Sequence, residues 1–307
     1  MTSSAHPAKS VVTSNRLHRG EDVPPVFGSI GVVGLGLIGG SIARAVREVW
    51  PSTQVIGIDR SEVIAEASRL GVVDAGGIDL DALADADVVI LAAPVRINRE
   101  LLAQLAERLR PTTLVTDTGS TKRDIVTVAA AIDKRFTFIG GHPLGGAATA
   151  GLEHARADLF VGRPWLFTPD ADAPSDAVTR LMAFASALGA RPSVLSPDEH
   201  DRLLASLSHM PQLVVSALLQ VVGDAVGPAG LALAGSGLID STRLASSPPD
   251  IWRDIAAANA DQIAASLDAV ISTLQALKVD LSDGTRLTDV FESASRWRAH
   301  LAPGTRL

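Results

Sequence analysis

Apolar and polar positions fall into two regimes along the chain. From Ser29 to about Leu195, short apolar runs alternate with stretches of helical period. Ile30–Val33, Val55–Asp59, Val88–Ala93, Thr113–Asp117, Phe136–Gly140, Pro164–Thr168 and Arg191–Leu195 read as strands. Val88–Ala93 is apolar throughout and closed by Pro94, as expected of a strand covered on both faces. Between the runs lie helical patterns: Ile42, Ala45, Val46 and Val49 on one face, then Arg99–Leu109, Lys122–Ile132 and Ala177–Leu188. Such alternation predicts an α/β domain built on a mostly parallel, doubly wound sheet over residues 29–195.

After Leu195 the strand signal stops. Ser196-Pro197-Asp198-Glu199 has the form of a capping box, with proline in the first helical turn. It opens a helix over Asp198–Val226 that Pro211 is expected to interrupt. Ser247-Pro248-Pro249-Asp250 opens a second long helix, apolar or small at Ile251, Ile255, Ala258, Ile263, Leu267, Val270, Ile271 and Leu274, and Leu287–His300 forms a last one. Residues 196–307 therefore read as an all-α domain. It carries more Ala, Leu and Val than one helical layer can hide, which predicts a homodimer through this half.

The first strand ends in Gly34-Leu35-Gly36-Leu37-Ile38-Gly39, a Gly-x-Gly-x-x-Gly turn placed between strand and helix. Gly34 permits the tight turn, Gly36 admits a pyrophosphate and Gly39 allows close helix–strand packing; the phosphates meet the free N–H groups of the helix N-terminus that follows. Asp59 ends the second strand about 20 residues on, where a carboxylate can bind ribose hydroxyls and repel a 2′-phosphate. These features define a Rossmann-type dinucleotide site that favours NAD, with NADP left open by Arg60. Gly34, Gly36, Leu37, Ile38, Gly39, Asp59 and Arg60, with Ala93 and Pro94 after the next central strand, are the candidate cofactor-binding residues.

The 307 residues suit about two domains. Apolar residues make up 47% and charged residues 20%, enough for buried cores. A net charge of −7 and a pI near 5.5 argue against nucleic acid as the main partner. There is no cysteine, which excludes disulfides and thiolate chemistry and fits a cytoplasmic protein. No uninterrupted apolar run approaches the ~18 residues of a membrane span. Residues 1–28 are rich in Ser, Thr, Pro and Ala, lack a secretory apolar core, and read as a disordered tail or a transit-type segment. The seven histidines show no metal-ligand spacing.

Three segments could carry chemistry. Asp117-Thr118-Gly119-Ser120-Thr121-Lys122 sits at the carboxyl end of a strand, the ligand edge of an open sheet, although a serine there can also be a helix cap. Gly140-Gly141-His142-Pro143-Leu144-Gly145-Gly146 places an imidazole straight after a strand, among glycines that would let substrate approach; His142 is the candidate general base. Gly237-Leu238-Ile239-Asp240-Ser241-Thr242-Arg243 interrupts the apolar helical half and offers a guanidinium suited to a carboxylate, or simply a surface arginine.

Taken with Ser196–Asp201, Ser208-His209-Met210-Pro211 and Trp252-Arg253-Asp254-Ile255, these segments resemble the prephenate/arogenate dehydrogenase family, NAD(P)-linked enzymes of tyrosine biosynthesis. The resemblance spans roughly residues 30–280. It implies oxidative decarboxylation of prephenate to 4-hydroxyphenylpyruvate, with arogenate or a 4-amino analogue as alternative substrates. By similarity, His142 takes the ring-hydroxyl proton, Ser120 hydrogen-bonds His142, and Arg243 holds the side-chain carboxylate with His209 and Asp240 in support. Two departures concern regulation. Family members often carry an acid where this chain has Ala148, and a histidine where it has Gln212, which leaves gating and feedback inhibition by tyrosine open. The length also leads to the expectation that no regulatory domain is appended. Rival readings are a β-hydroxyacid dehydrogenase, whose helical-domain lysine has no counterpart between Lys134 and Lys278, and a non-catalytic NAD-binding sensor.

Overall fold

A computed structural model describes residues 24–145 and 149–301. The expected tail thus lies outside the described residues up to position 23, as do Gly146 and Ala148.

Eight strands form one sheet in the order β3-β2-β1-β4-β5-β6-β7-β8: β1 (Ser29–Val33), β2 (Gln54–Ile58), β3 (Ala75–Gly77), β4 (Val88–Leu91), β5 (Leu114–Asp117), β6 (Thr137–Pro143), β7 (Pro164–Thr168) and β8 (Arg191–Val194). All neighbours pair parallel except β6 with β7. The order doubles back at β1, between the β1–β2 and β1–β4 pairs, and this reversal opens the ligand crevice of doubly wound sheets. Alternate residues of the central strands feed two separate cores. Ile30, Val32, Val88 and Ile90 face one, and Val33, Val89 and Leu91 the other. Hence the unbroken apolar runs: both sides of the strand must be covered.

Helices α1 (Leu37–Val49), α2 (Ser61–Arg69), α3 (Val95–Leu105), α4 (Arg123–Ala131) and α5 (Ser175–Ala187) cover the sheet. Helix α3 starts and ends earlier than its apolar pattern suggested, because Pro94 caps its first turn instead of merely closing the strand. β3 is a strand that the apolar pattern did not reveal; its Ala-Gly-Gly sequence carries no β-propensity and is held by β2.

Past Val194 every element is helical: α6 (Pro197–Leu204), α7 (Met210–Leu231), α8 (Ser236–Ser241), α9 (Pro249–Ala258), α10 (Ala260–Asp280) and α11 (Thr285–His300). The capping box forms as read, with Ser196 and Glu199 bonded reciprocally. Pro211 does not interrupt the helix. A π turn over Ala205–His209 takes up an extra residue just before it, the Met210 N–H bonding the Ala205 carbonyl, so α6 and α7 run on as one rod. The break comes instead at Gly227, at φ 62° and ψ −178°, followed by Pro228. The expected helix from Pro249 to Leu274 is two helices, because Asn259 leaves helical geometry and turns its side chain to other work.

Joined through the π turn, Pro197–Leu231 forms a 35-residue run containing an 18-residue window of mean hydropathy 1.5, long and apolar enough to cross a membrane by length and composition alone. The run is not an uninterrupted apolar one, since Ser216, Gln220 and Asp224 break it up. Leu218, Val221 and Val226 on it are exposed, as are Leu233, Ile239, Leu274, Val279, Leu281, Phe291 and Trp297 elsewhere in the helical half. So much uncovered apolar surface calls for a cover.

Candidate active site

The glycine turn is built as a dinucleotide cradle. Gly34 sits at φ 92°, and a β-carbon there would come within 2.8 Å of the Ala92 carbonyl and 2.9 Å of the Ala93 nitrogen. At Gly39 a β-carbon would fall 1.9 Å from the Gly34 carbonyl oxygen, whereas at Gly36 it would meet nothing within 4 Å. Two glycines are therefore demanded by the protein's own packing and the third by open space, which is what an approaching pyrophosphate requires. Leu37 and Ile38 open α1, where N–H groups have no intrahelical acceptor.

Asp59 receives the Leu35 N–H at 2.7 Å and the Arg60 N–H at 2.7 Å, one on each oxygen. Each oxygen keeps a lone pair for a ribose hydroxyl. Arg60 is largely exposed and leans towards Glu62. A cleft of about 340 Å³ runs between Gly36, Asp59, Arg60, Val63 and Leu152. Ala93 and Pro94 lie across the crevice at the end of β4, the Ala93 N–H held by Asn98 at 3.2 Å. These residues fit a dinucleotide.

A buried polar network lies where the sheet meets the helical half. His142 lies inside β6 and not after it, because β7 continues the ladder antiparallel from Gly140 to Pro143 beyond the end of β5. The adjacent glycines also differ from expectation. A β-carbon at Gly140 would strike Thr168, and one at Gly141 would strike the Asp117 carbonyl oxygen and Thr116, so they serve strand contact and not substrate approach. Asp117 holds this junction together. Its carboxylate accepts the Gly141 N–H at 3.0 Å, the Gly119 N–H at 2.8 Å and the ammonium of the fully buried Lys122. Burial lowers the Lys122 pKa, only partly opposed by Asp117.

His142 Nδ1 is 2.9 Å from His200 Nε2, and His200 Nδ1 is 2.8 Å from Asp201 Oδ1. Asp201 also accepts the backbone N–H groups of Lys122 at 2.7 Å and Arg123 at 2.9 Å. Burial raises the Asp201 pKa, but the hydrogen bonds from His200, Arg123 and Lys122 outweigh it and hold the carboxylate below its ordinary value. Arg123 crosses from α4 to Asp201, Asn259 and Asp261, and Asn259 donates to the Asp201 carbonyl at 2.8 Å and contacts His209 Nδ1 at 3.2 Å. His209 stands edge-on to Trp252. Burial, reinforced by the electrostatic influence of Lys122 and of the His200 and His209 rings, pushes His142 well below 6.5. Burial also lowers His209 to about 4, against the opposing pull of Asp201.

Of the predicted site residues, His142 and His209 enter this network, and the Ser120 backbone borders His209. No hydrogen bond joins the Ser120 hydroxyl to His142 among the described residues; His200 occupies Nδ1 instead. Arg243 and Asp240 are exposed and form no ion pair among the described residues. Their segment is nevertheless tethered close to His209: Gln212, one helical turn further along, is buried and donates to the Leu244 carbonyl at 2.8 Å, while Ser247 donates to Gln212 at 3.2 Å. His200, Asp201, Lys122, Arg123 and Asn259 had no assigned role from sequence. The available signal was polar residues on the inward face of an amphipathic helix, since His200, Asp201 and Leu204 are the buried positions of α6.

A dinucleotide cradle on a doubly wound sheet, with a buried neutral histidine on β6 of the same sheet, is the architecture of a nucleotide-dependent oxidoreductase. Comparison with known proteins narrows this. Residues 42–194 match the nucleotide-binding domain of prephenate dehydrogenase, and residues 196–292 match its dimerization domain. The chain is 34% identical over 275 residues to a prephenate dehydrogenase of Bacillus subtilis, covering 87% of this chain and 74% of that protein. It is 32% identical over 284 residues to a cyclohexadienyl dehydrogenase of Zymomonas mobilis, covering 90% and 97%. The structure of prephenate dehydrogenase from Aquifex aeolicus with hydroxyphenyl propionate and NAD+ superposes with a TM-score of 0.84 at 28% identity, over 92% of this chain and all of that one. The chain belongs to the prephenate dehydrogenase family and is an oxidoreductase.

Proposed function

We propose that this enzyme oxidatively decarboxylates prephenate to 4-hydroxyphenylpyruvate, using NAD, as a step of tyrosine biosynthesis. The observation that carries the reading is His142: buried, uncharged at neutral pH, with Nδ1 engaged and Nε2 left over, on the strand that borders the ligand edge. The Aquifex relative binds NAD+ and a phenolic acid of product-like shape, which supports both cofactor and substrate class. Asp59, with both oxygens at the end of β2, favours NAD over NADP.

NAD, when bound, supplies the hydride acceptor. The chain's own residues do the rest. Gly34–Gly39 and Asp59 orient the dinucleotide along the crevice. His142 Nε2 accepts the ring-hydroxyl proton as the carbonyl forms, and loss of the ring carboxylate as carbon dioxide leaves an aromatic product. His209 contributes a donor: Asn259 presents its oxygen to Arg123 and its NH2 to His209 Nδ1, which leaves the neutral ring's proton on Nε2. Among the described residues that nitrogen is buried without a partner at full hydrogen-bond geometry, and the Ser120 backbone, which favours the protonated ring, is the acceptor near it, so the donor is only loosely held. Ser120 is positioned beside it to touch substrate or nicotinamide. Arg243, on the turn hung from Gln212, binds the side-chain carboxylate, with Asp240 beside it in sequence.

We further read the chain as a Rossmann domain over 29–195 and a helical domain over 196–307, the exposed apolar face of the latter closing a homodimer in the cytoplasm, with neither membrane nor nucleic acid as partner. Light scattering of the purified protein should give twice the 31.8 kDa chain mass. The activity is tested by crossing prephenate and arogenate with NAD and NADP and following absorbance of the reduced cofactor. Prephenate with NAD should turn over fastest. Reduction with arogenate alone, or with none of the four pairs, overturns the assignment.

A further inference from the structure

Resting on the reading of His142 as the base, we infer that His200, held by Asp201, is a positioning residue that fixes which nitrogen of His142 is free to accept a proton and shares the charge this produces. The order of donors follows from the one group in the chain that can only accept. Asp201 takes two backbone N–H groups, so it is an acceptor towards His200 as well, and His200 Nδ1 must carry the proton of that 2.8 Å contact. A neutral His200 then has only a lone pair at Nε2. Across the 2.9 Å contact His142 Nδ1 must therefore donate, and the lone pair of His142 is confined to Nε2. Without this chain a neutral imidazole divides itself between two tautomers, one of which is useless as a base at that position.

The same chain answers an energetic difficulty. His142 and His200 are both buried, and the imidazolium formed on His142 during turnover would be costly in such surroundings. It lies one hydrogen bond from His200 and two from the Asp201 carboxylate, which is fully buried and not diluted by solvent. The titratable groups facing the two rings from neighbouring elements are Lys122 and Asp117 on the β5–α4 side and the neutral His209 at the head of α7. Lys122 is matched by Asp117, and Asp201 is left to balance the rings. Asp201 in turn is gripped by the Lys122 and Arg123 N–H groups at the start of α4, so the chain is aligned only when the helical half is docked on the sheet.

Asp201→Asn would be an ambiguous probe, since its NH2 would face one of those two N–H donors. His200 is the better position. His200→Leu removes the acceptor, and His200→Gln restores one through its amide oxygen but not the link to Asp201. With prephenate and NAD, His200→Leu should lower kcat by roughly 10²-fold with the prephenate KM and NAD affinity little changed, by analogy with loss of an orienting partner behind a catalytic histidine. His200→Gln should recover about tenfold of that loss. Nitrogen-15 NMR of the wild-type enzyme should show His142 protonated on Nδ1, and a mixed tautomer in His200→Leu. A folded His200→Leu enzyme with kcat within about twofold of wild type overturns the inference. So does a wild-type His142 protonated on Nε2, a measurement that stands even if the variants do not fold. If His142→Asn itself keeps full turnover, the base reading falls first; if His142→Asn is dead and His200→Leu is not, only the positioning role falls.

Discussion

His209 is the group whose burial has the clearest consequence outside catalysis. It is 1% exposed, its pKa in the folded chain is about 4, and an ordinary imidazole titrates at 6.5. Below 6.5 the unfolded chain binds a proton that the folded chain refuses, so the stability contributed by this residue is present at neutral pH and lost as pH falls towards 4. Between about pH 7 and pH 5 the loss from this one group works out at about 2 kcal/mol. His142 and His200 are shifted the same way and add to the slope. The contribution of His209 is isolated by comparing wild type with His209→Gln, whose amide can still accept from Asn259. Urea unfolding at the two pH values, at one protein concentration, should show the variant losing about 2 kcal/mol less on acidification than the wild type. Equal losses in the two proteins would mean that His209 is not held neutral by burial, and the donor role given to its Nε2 would go with it.

Other outcomes follow from the same geometry. The acid limb of kcat/KM for prephenate should lie below 6.5, because burial pushes His142 down and keeps it neutral there; a limb centred at 6.5 or above would contradict the buried setting. Gly36→Val should leave the fold and its melting temperature nearly unchanged but weaken NAD binding at least tenfold, whereas Gly34→Ala, at φ 92° and against backbone, should destabilise the domain by about 1–3 kcal/mol. Equal effects on folding at both sites would show that Gly36 does not face the dinucleotide. Arg243→Ala should raise the prephenate KM with a loss of about 2–5 kcal/mol in kcat/KM if the carboxylate is gripped there, and an unchanged KM would move the anion site elsewhere.

What was legible in the sequence is what local chemistry dictates. Strands buried on both faces announced themselves as apolar runs, and the glycine turn and Asp59 as a spacing, because each is fixed by neighbours within a few residues. His142 was found from its flanking glycines, although those glycines turn out to accommodate Thr168, Thr116 and the Asp117 backbone. Two local readings failed because the backbone had a further option. A π turn absorbed Pro211, and Asn259 gave up helical geometry to serve Asp201, His209 and Arg123. The network itself was invisible: Lys122, His200 and Asn259 come from segments 59 to 137 positions apart by their numbers and meet only once the halves dock. Single polar residues on an inward helix face were the trace they left. The exposed Arg243 was legible as a motif, and its tether to Gln212 was not.

The most direct test of the whole account is His142→Asn, measured with saturating prephenate and NAD alongside an independent titration of NAD binding. Turnover should fall by ~10²–10⁴ while NAD affinity stays at the wild-type value. Near-normal turnover with intact NAD binding would remove His142 from the chemistry and leave the buried network without its proposed purpose.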